Sequence, residues 1–204
     1  MDTTDASGLG STWAAGAKAL VCIDMQHDFV EPAAPAAVAE ATSCVPAIAR
    51  AAHAVRRHGV AIWVNRAYAP DGSNVERSRL AKWSLAPFAV AGTPGAAMVP
   101  GLGVEDGDIE IIKPSFSAFL RTELDEVLSR KGIEEVVLCG VDLARCVRAT
   151  AADALSLGYG VTVLSDATAT RSQAAKAANL EDLVDLGAVV RTSTEVARDE
   201  ARRR

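Results

Sequence analysis

The sequence predicts an α/β fold built around a mostly parallel β-sheet. Six short apolar runs recur along the 204-residue chain, and most of them are continuous rather than alternating, which is typical of strands covered on both faces. The runs span residues 19–24, 60–65, 109–113, 135–140, 161–166 and 188–191. Helical apolar patterns lie between them at residues 45–58, 146–157 and 172–186, each followed closely by a glycine. This alternation predicts the strand–helix repeat of an open α/β sheet.

One domain accounts for the chain apart from its start. A length of 204 residues suits a single core, and neither an internal repeat nor a second domain is visible. We expect residues 1–17, which are rich in Gly, Ser, Thr and Ala, to form a flexible N-terminal arm, and residues 18–204 to form the domain. Residues 66–108 are rich in Pro and Gly and predict a long irregular connection with one short helix around residues 75–82. Long ordered connections of this kind are often functional.

The charge balance argues against two classes of partner. With 21 basic and 26 acidic residues the net charge is −5, so the chain has no general attraction for nucleic acid or for an anionic membrane. No signal peptide and no run of 18 apolar residues is visible, and the four cysteines lack the C-x-x-C spacing of a zinc ribbon or redox pair. These features predict a cytoplasmic protein. The basic end, residues 201–204, is interpreted as a frayed, solvated terminus.

Three chemically useful side chains follow separate strands of the predicted sheet. Asp24 ends the first apolar run, Lys113 ends the third, and Cys146 follows a turn after the fourth, at the start of a helical pattern. Because ligands of open parallel sheets bind beyond the carboxyl ends of the strands, we expect these residues on one rim. Asn65 and Asp166 also end strands but are interpreted as structural residues, with Asp166 as a cap or turn former.

A thiol, an ammonium and a carboxylate on one rim can perform nucleophilic catalysis. A helix N-terminus and a neighbouring Lys113 would both stabilise a thiolate at Cys146. Asp24 can take the thiol proton and return it to a leaving amine. Pro114 keeps Lys113 extended, which directs its side chain. Each residue alone also has a structural interpretation, as a cap, a solvated lysine or a packing cysteine, and only their joint placement favours catalysis.

Three motifs resemble those of the isochorismatase-like cysteine hydrolases. Residues 20–29 (LVCIDMQHDF) are similar to the aspartate motif of that superfamily, residues 113–119 (KPSFSAF) to its lysine motif, and residues 138–154 to its cysteine motif. The motifs occur in the family's order, and the resemblance covers about residues 19–191. It implies a three-layer αβα fold of the Rossmann type, with a six-stranded, mostly parallel sheet between helical layers. It also implies a homodimer or homotetramer.

The resemblance implies an active site as well. The catalytic triad would be Asp24, Lys113 and Cys146, acting on a carbonyl carbon bonded to nitrogen. The peptide bond between Val141 and Asp142 would be cis. The backbone N–H groups of Asp142 and Cys146 would form the oxyanion hole.

Two departures from the family pattern bear on the turn and on metal binding. Leu143 and Ala144 stand where the family often has Thr and an acidic or amide residue, so we expect different hydrogen bonding in the turn before the cysteine. Nicotinamidases of the superfamily bind a metal through an Asp-x-His pattern after the second strand, whereas residues 65–68 (NRAY) contain no histidine. We therefore expect no metal, no other cofactor and no nicotinamidase activity.

The predicted function is cysteine-dependent hydrolysis of a C–N bond in a small amide, ureido or lactam compound through a thioester. Arg66, Tyr68, Trp83 and Phe88 are candidates for lining the substrate pocket, with the alternative that the aromatic residues fill the core or a subunit interface. Two other functions stay open. One is vinyl-ether hydrolysis of the isochorismatase type, whose enzymes commonly lack the cysteine, and the other is a non-catalytic binding protein with the same fold.

Overall fold

Six parallel strands form one sheet in the computed structural model, which describes residues 16–203. In chain order they are β1 (Ala17–Ile23), β2 (Val60–Arg66), β3 (Ile109–Lys113), β4 (Ile133–Val141), β5 (Gly160–Ala169) and β6 (Val189–Arg191). The order across the sheet is β3-β2-β1-β4-β5-β6, and every neighbouring pair is parallel. The predicted strands and the parallel sheet are confirmed. Residues 1–15 of the predicted arm lie outside the described residues, and β1 already begins at Ala17.

Helices cover both faces of this sheet. They are α1 (His27–Val30), α2 (Val45–Val55), α3 (Arg77–Leu85), α4 (Leu124–Arg130), α5 (Arg148–Ser156), α6 (Gln173–Asp185) and α7 (Ser193–Arg202). Leu20 and Cys22 of β1 share an apolar core with α2 and α7, whereas Val21 and Ile23 share another with α4, α5 and α6. Alternate residues of one strand thus enter two cores, which gives three layers. Within residues 16–203 no helix has both the length and the apolar character to span a bilayer.

Three helices escaped prediction for different reasons, and the first of them, α1, has only four residues. The patterns at residues 45–58, 146–157 and 172–186 correspond to α2, α5 and α6, and the short helix near residues 75–82 is α3. The missed α4 has only seven residues, too few for a periodic pattern. The missed α7 buries one large apolar side chain, Val196, but it carries a capping box that the sequence displays. In that box Glu195 N donates to Thr192 Oγ1, and Thr192 N donates to the Glu195 carboxylate.

The end of α7 is tied to the start of the sheet by buried charges. Lys18 of β1 forms ion pairs with Glu135 of β4 at 3.0 Å and with Glu200 of α7 at 3.7 Å, and all three side chains are buried. Arg203 in turn pairs with Glu200 at 3.2 Å. The expectation of a frayed basic terminus is therefore wrong for Arg203, because the buried carboxylate of Glu200 holds that residue. Arg204 lies outside the described residues.

The long connection between β2 and β3 is anchored beside the carboxyl end of β1. Val99 N donates to Met25 O at 3.0 Å, and Ala89 N donates to the Asp28 carboxylate at 2.7 Å. Met25 lies two residues after β1 and Asp28 lies in α1, so these bonds hold the connection at the edge of the sheet where ligands of such folds bind.

The far end of the connection is fixed by Asp108. Its carboxylate accepts from Arg56 Nε at 2.7 Å, from Trp63 Nε1 at 2.8 Å and from Glu105 N at 3.0 Å. Burial raises the pKa of the Asp108 carboxyl, but the hydrogen bonds from Arg56, Glu105 N and Trp63 outweigh burial, so its pKa lies below the ordinary value. The folded state therefore favours the ionised carboxylate.

Asp108→Asn is expected to lower the free energy of unfolding by about 2 kcal/mol at neutral pH, because hydrogen bonds to a charged acceptor are lost. A carboxyl whose pKa is lowered by folding contributes its stability above its unfolded pKa of about 3.9, and loses it as the pH falls through the folded pKa. Urea unfolding should therefore show a smaller difference between wild type and variant near about pH 3 than at neutral pH. Glu105→Gln is the control, since its exposed ion pair with Arg56 should contribute less than about 1 kcal/mol. If the difference in the free energy of unfolding between wild type and Asp108→Asn stays constant with pH, ionisation of Asp108 does not contribute to stability as expected.

Candidate active site

Three chain segments meet where the strand order of the sheet reverses. β1 lies inside the sheet, with β2 and then β3 on one side and β4 on the other. A crevice opens at such a point beyond the carboxyl ends of the strands. Asp24 directly follows β1, Lys113 is the last residue of β3, and Cys146 lies in the π-helical turn Leu143–Val147 between β4 and α5. The structure thus brings together the three residues that the sequence singled out.

Lys113 is the centre of this cluster. Its Nζ donates to Asp24 Oδ2 at 2.8 Å and to Ser115 O at 3.0 Å, and it lies 3.6 Å from Cys146 Sγ. The exposed fractions are 1% for Asp24, 0% for Lys113 and 5% for Cys146. Because burial removes most of the screening by water, these groups act strongly on one another.

Asp24 has one carboxylate oxygen held and the other unpartnered. Its φ of 53° lies in the left-handed region, which Asp adopts more readily than most residues, and its N–H donates to Val64 O at 2.9 Å. Lys113 holds Oδ2, whereas the buried Oδ1 has no hydrogen-bond partner within residues 16–203. A buried carboxylate oxygen without a partner is costly to maintain, and it is available to accept a proton.

The environment of Cys146 favours the neutral thiol at rest. Burial raises the pKa of the Cys146 thiol, Lys113 lowers it, Asp24 raises it and Arg66 lowers it, and the net pKa lies above the ordinary value. The sequence predicted that Lys113 would stabilise a thiolate; Lys113 and Arg66 do lower the pKa of this thiol, but burial raises it more.

Asp142 shapes the turn that carries Cys146. The peptide bond between Val141 and Asp142 is cis, in agreement with the resemblance. The Asp142 carboxylate accepts from Ala144 N at 3.0 Å and so caps the turn, while Leu143 is buried in the core. The turn thus forms with the apolar residues Leu143 and Ala144 after the cap. The backbone N–H groups proposed for the oxyanion hole both belong to this turn.

A cavity of about 490 Å³ opens onto Asp24 and Cys146. Aromatic side chains form part of its wall, namely Phe29, Trp83, Phe88 and Phe116. Four cationic side chains also line it, namely Arg79, Lys82, Arg145 and Arg171. The volume suits a small molecule.

The match to a known family decides the identification. An isochorismatase domain model matches residues 18–195, which is most of the chain. This chain belongs to the isochorismatase family. Its six-stranded parallel sheet agrees with the fold of solved members of this family.

Three proteins illustrate the relationship. A protein of Arabidopsis thaliana named probable inactive nicotinamidase At3g16190 is 38% identical, over 86% of this chain and 91% of its own length. A ureidoacrylate amidohydrolase, RutB, of Methylorubrum extorquens is 32% identical, over 76% of this chain and 70% of its own. The crystal structure of an isochorismatase family protein from Desulfovibrio vulgaris has a TM-score of 0.85 and 38% identity, covering 92% of this chain and 100% of that one. Relatives within the family thus include amidohydrolases.

Two side chains to which the sequence alone gave no role, Gln26 and Thr150, support the site. Gln26 Nε2 donates to Arg66 O at 2.8 Å and to Ala96 O at 2.6 Å, and its Oε1 accepts from Arg66 N at 2.9 Å. Gln26 therefore joins the end of β2 to the long connection. Thr150 Oγ1 donates to Cys146 O at 2.8 Å and accepts a hydrogen bond from the lysine-motif segment. In the sequence, Gln26 could have been found from its position two residues after Asp24. Thr150 could have been found from its position one helical turn after Cys146.

Of the four candidate pocket residues, Trp83 and Phe88 line the cavity, whereas Arg66 and Tyr68 are absent from its lining. Arg66 is buried, and its guanidinium donates to the Tyr68 hydroxyl at 2.7 Å, to Glu76 at 2.7 Å and to Ser115 O. Burial, only partly offset by Arg66, raises the pKa of Tyr68 to about 12. Arg66 Nη2 also lies 3.7 Å from the cysteine sulfur. Arg66 thus supplies a second positive charge beside the thiol.

The strand-end residues interpreted as structural have structural partners. Asn65 donates to Glu110 at 2.9 Å, and Asp166 accepts from Ser193 N at 2.8 Å at the start of α7. Within residues 16–203 no group of three or more His, Cys, Asp or Glu side chains is arranged to hold a metal ion.

Proposed function

We propose that this protein hydrolyses a C–N bond of a small amide, ureido or lactam compound through a thioester at Cys146. The observation that carries the proposal is the buried cluster in which Lys113 Nζ lies 2.8 Å from Asp24 Oδ2 and 3.6 Å from Cys146 Sγ. One oxygen of Asp24 keeps no partner among the described residues. A nucleophile, a base and a cation in one buried cluster are the groups that covalent acyl transfer requires.

The first half-reaction forms the thioester. Asp24 accepts the thiol proton while the sulfur of Cys146 bonds to the substrate carbonyl carbon. The carbonyl oxygen becomes an oxyanion, which the backbone N–H groups of Asp142 and Cys146 would hold. Asp24 then returns the proton to the substrate nitrogen, the C–N bond breaks, and the nitrogen leaves as ammonia or an amine. In a lactam the same step opens the ring. Lys113 remains a positive charge beside both reacting groups.

Water completes the cycle. Asp24, ionised again, takes a proton from water as the water oxygen attacks the thioester carbonyl carbon. The C–S bond then breaks, and the sulfur of Cys146 recovers that proton. The products are an acid and the free enzyme, so no proton is gained or lost by Asp24 over one turnover.

The names of relatives support this reaction class. One relative is a ureidoacrylate amidohydrolase. Another relative, 38% identical, is named probable inactive nicotinamidase. Vinyl-ether hydrolysis through the aspartate, or a non-catalytic binding protein, would leave the thiol beside Asp24 and Lys113 without a catalytic role.

We also propose that the enzyme acts in the cytoplasm as a homodimer or homotetramer. All four cysteines are free, which fits a reducing compartment. Some large apolar side chains are exposed on the single chain, including Leu85 at 88% and Ile112 of the edge strand β3 at 50%. An assembly of subunits would cover such surface.

The test of the reaction combines product release with trapping of the intermediate. Wild-type protein is incubated with primary amides, ureides and a lactam; ammonia is measured for the first two, and ring opening by mass for the third. We expect turnover of at least one class, and an acyl adduct on Cys146 in peptide mass spectra after acid quenching. Cys44→Ala is the control and should keep turnover and adduct, because Cys44 does not line the cavity. Turnover with the adduct on another residue would refute the thioester at Cys146, and no turnover with no adduct would favour a binding protein.

A further inference from the structure

The cavity carries more positive than negative charge, although the net charge of the chain is −5. Its two carboxylates are already paired: Asp24 with Lys113 at 2.8 Å, and Asp142 with Arg145 at 3.4 Å. Three further cations line the cavity, and we call them the cationic rim: Arg79, Lys82 and Arg171. None of the three forms an ion pair with a carboxylate among residues 16–203. The cavity is therefore electrostatically suited to an anion.

Arg79 is the member of the cationic rim that the structure holds most firmly. It is half-buried, and its guanidinium carbon lies 4.1 Å from the centroid of the Phe116 ring. Phe116 belongs to the lysine motif and itself lines the cavity. Stacking uses the face of the guanidinium and leaves its N–H edges free. A guanidinium has five N–H donors, so donors remain for a ligand.

α3 presents its cations to the cavity rather than to the core. Trp83 is its one buried residue, and the indole N–H of Trp83 already donates to Phe88 O at 2.9 Å. Arg79 and Lys82 are three residues apart and thus lie on one side of the helix, beside the cavity that both line. The wall formed by Trp83 and Phe88 is therefore apolar, and the unpaired positive charge of the cavity comes from the cationic rim.

We propose that the substrate carries a carboxylate at the end opposite its scissile C–N bond, and that Arg79 binds this carboxylate with support from Lys82 and Arg171. This inference rests on the proposed function, since it places the amide carbon at Cys146. A guanidinium matches a carboxylate with two parallel N–H···O bonds, and one such pair neutralises one negative charge. The aromatic wall contacts the apolar spacer between the two ends. The substrate class is thus the small ω-carboxy amide or ureide.

The kinetic test compares matched substrates that differ in charge only. Succinamate and glutaramate carry the carboxylate, and succinamide and glutaramide replace it with a neutral amide. We expect wild-type kcat/KM to be at least about tenfold higher for the acids, a difference of about 1.4 kcal/mol. Arg79→Gln should raise KM for the acids at least about tenfold and change their kcat little. It should leave kcat/KM for the diamides unchanged. Equal use of acids and diamides by the wild type would overturn the inference.

Two variants separate the role of Arg79 from a general effect on α3. Arg77→Gln removes a positive charge from the same helix at a residue that does not line the cavity, and it should keep wild-type kinetics. Arg79→Lys should recover part of the preference for acids, because it keeps the charge but not the planar pair of donors. If Arg79→Gln lowers kcat/KM equally for the acids and the diamides, the role of Arg79 is structural only.

A binding measurement distinguishes failure of this inference from failure of the proposed function. Calorimetric titration of Cys146→Ala protein with succinamate and glutaramate requires no turnover. Binding that Arg79→Gln weakens at least about tenfold supports the carboxylate site even if no amide is hydrolysed. Hydrolysis confined to neutral amides would leave the proposed function standing and refute this inference. Failure of both acids to bind would refute it as well.

Discussion

Cys146→Ala is expected to lower kcat/KM for the amide substrate by about 10⁴-fold or more, which corresponds to about 5.4 kcal/mol of lost transition-state stabilisation. Alanine lacks the sulfur that, in the proposed mechanism, forms the thioester. Asp24, Lys113 and Arg66 remain in place, so the charges beside the sulfur are kept and the cavity should still bind substrate. The loss should therefore appear mainly in kcat, with KM changed much less.

Steady-state kinetics of three proteins measure this effect. Cys44→Ala is the matched control, because Cys44 is also a buried cysteine but packs in the core with α2, away from the cavity. It should cost stability and keep the wild-type kcat. Cys146→Ser tests the need for sulfur, because a hydroxyl has nearly the same shape but is a much weaker nucleophile. A Cys146→Ala protein that retains a tenth of the wild-type kcat, with an unchanged melting temperature, would remove Cys146 from the mechanism.

The fold was predictable where local chemistry determines it. Buried parallel strands leave continuous apolar runs, and all six strands were found from such runs. The helix α7 was not predicted, because its stability comes from a capping box and from Glu200, whose partner Lys18 lies at the other end of the sequence. A contact between residues so far apart leaves no periodic pattern.

The candidate site was predictable only as far as strand ends define it. Asp24, Lys113 and Cys146 each follow a strand or a turn next to one, so the parallel sheet alone places them on one rim. Arg66 ends β2 in the same way, but its side chain turns toward Ser115 and the thiol. The role of Arg79 depends on how the long connection folds over the cavity, which no periodicity encodes.

Gly140→Ala is expected to destabilise the protein by about 4 kcal/mol or more, because two costs coincide at this position. Gly140 has a φ of 99°, which L-residues with a side chain rarely adopt. A Cβ atom at this residue would also lie 2.7 Å from the backbone nitrogen of Ile23 and closer still to its carbonyl oxygen. Ile23 is the β1 residue in register with Gly140, and it directly precedes Asp24. Relief of this clash therefore requires β1 and β4 to separate, or Asp24 to move.

Gly158→Ala separates these two costs. Gly158 has a similar φ of 91°, but no described atom lies within 4 Å of the position of its Cβ, so only the conformational cost of about 1–2 kcal/mol applies. Urea unfolding of both variants measures the difference, which reports the clash with β1. If Gly140→Ala folds, its kcat should also fall, because Asp24 is displaced from Lys113, whereas Gly158→Ala should keep the wild-type kcat. Equal losses of stability in the two variants would show that the close approach of β4 to β1 at Gly140 does not constrain the site.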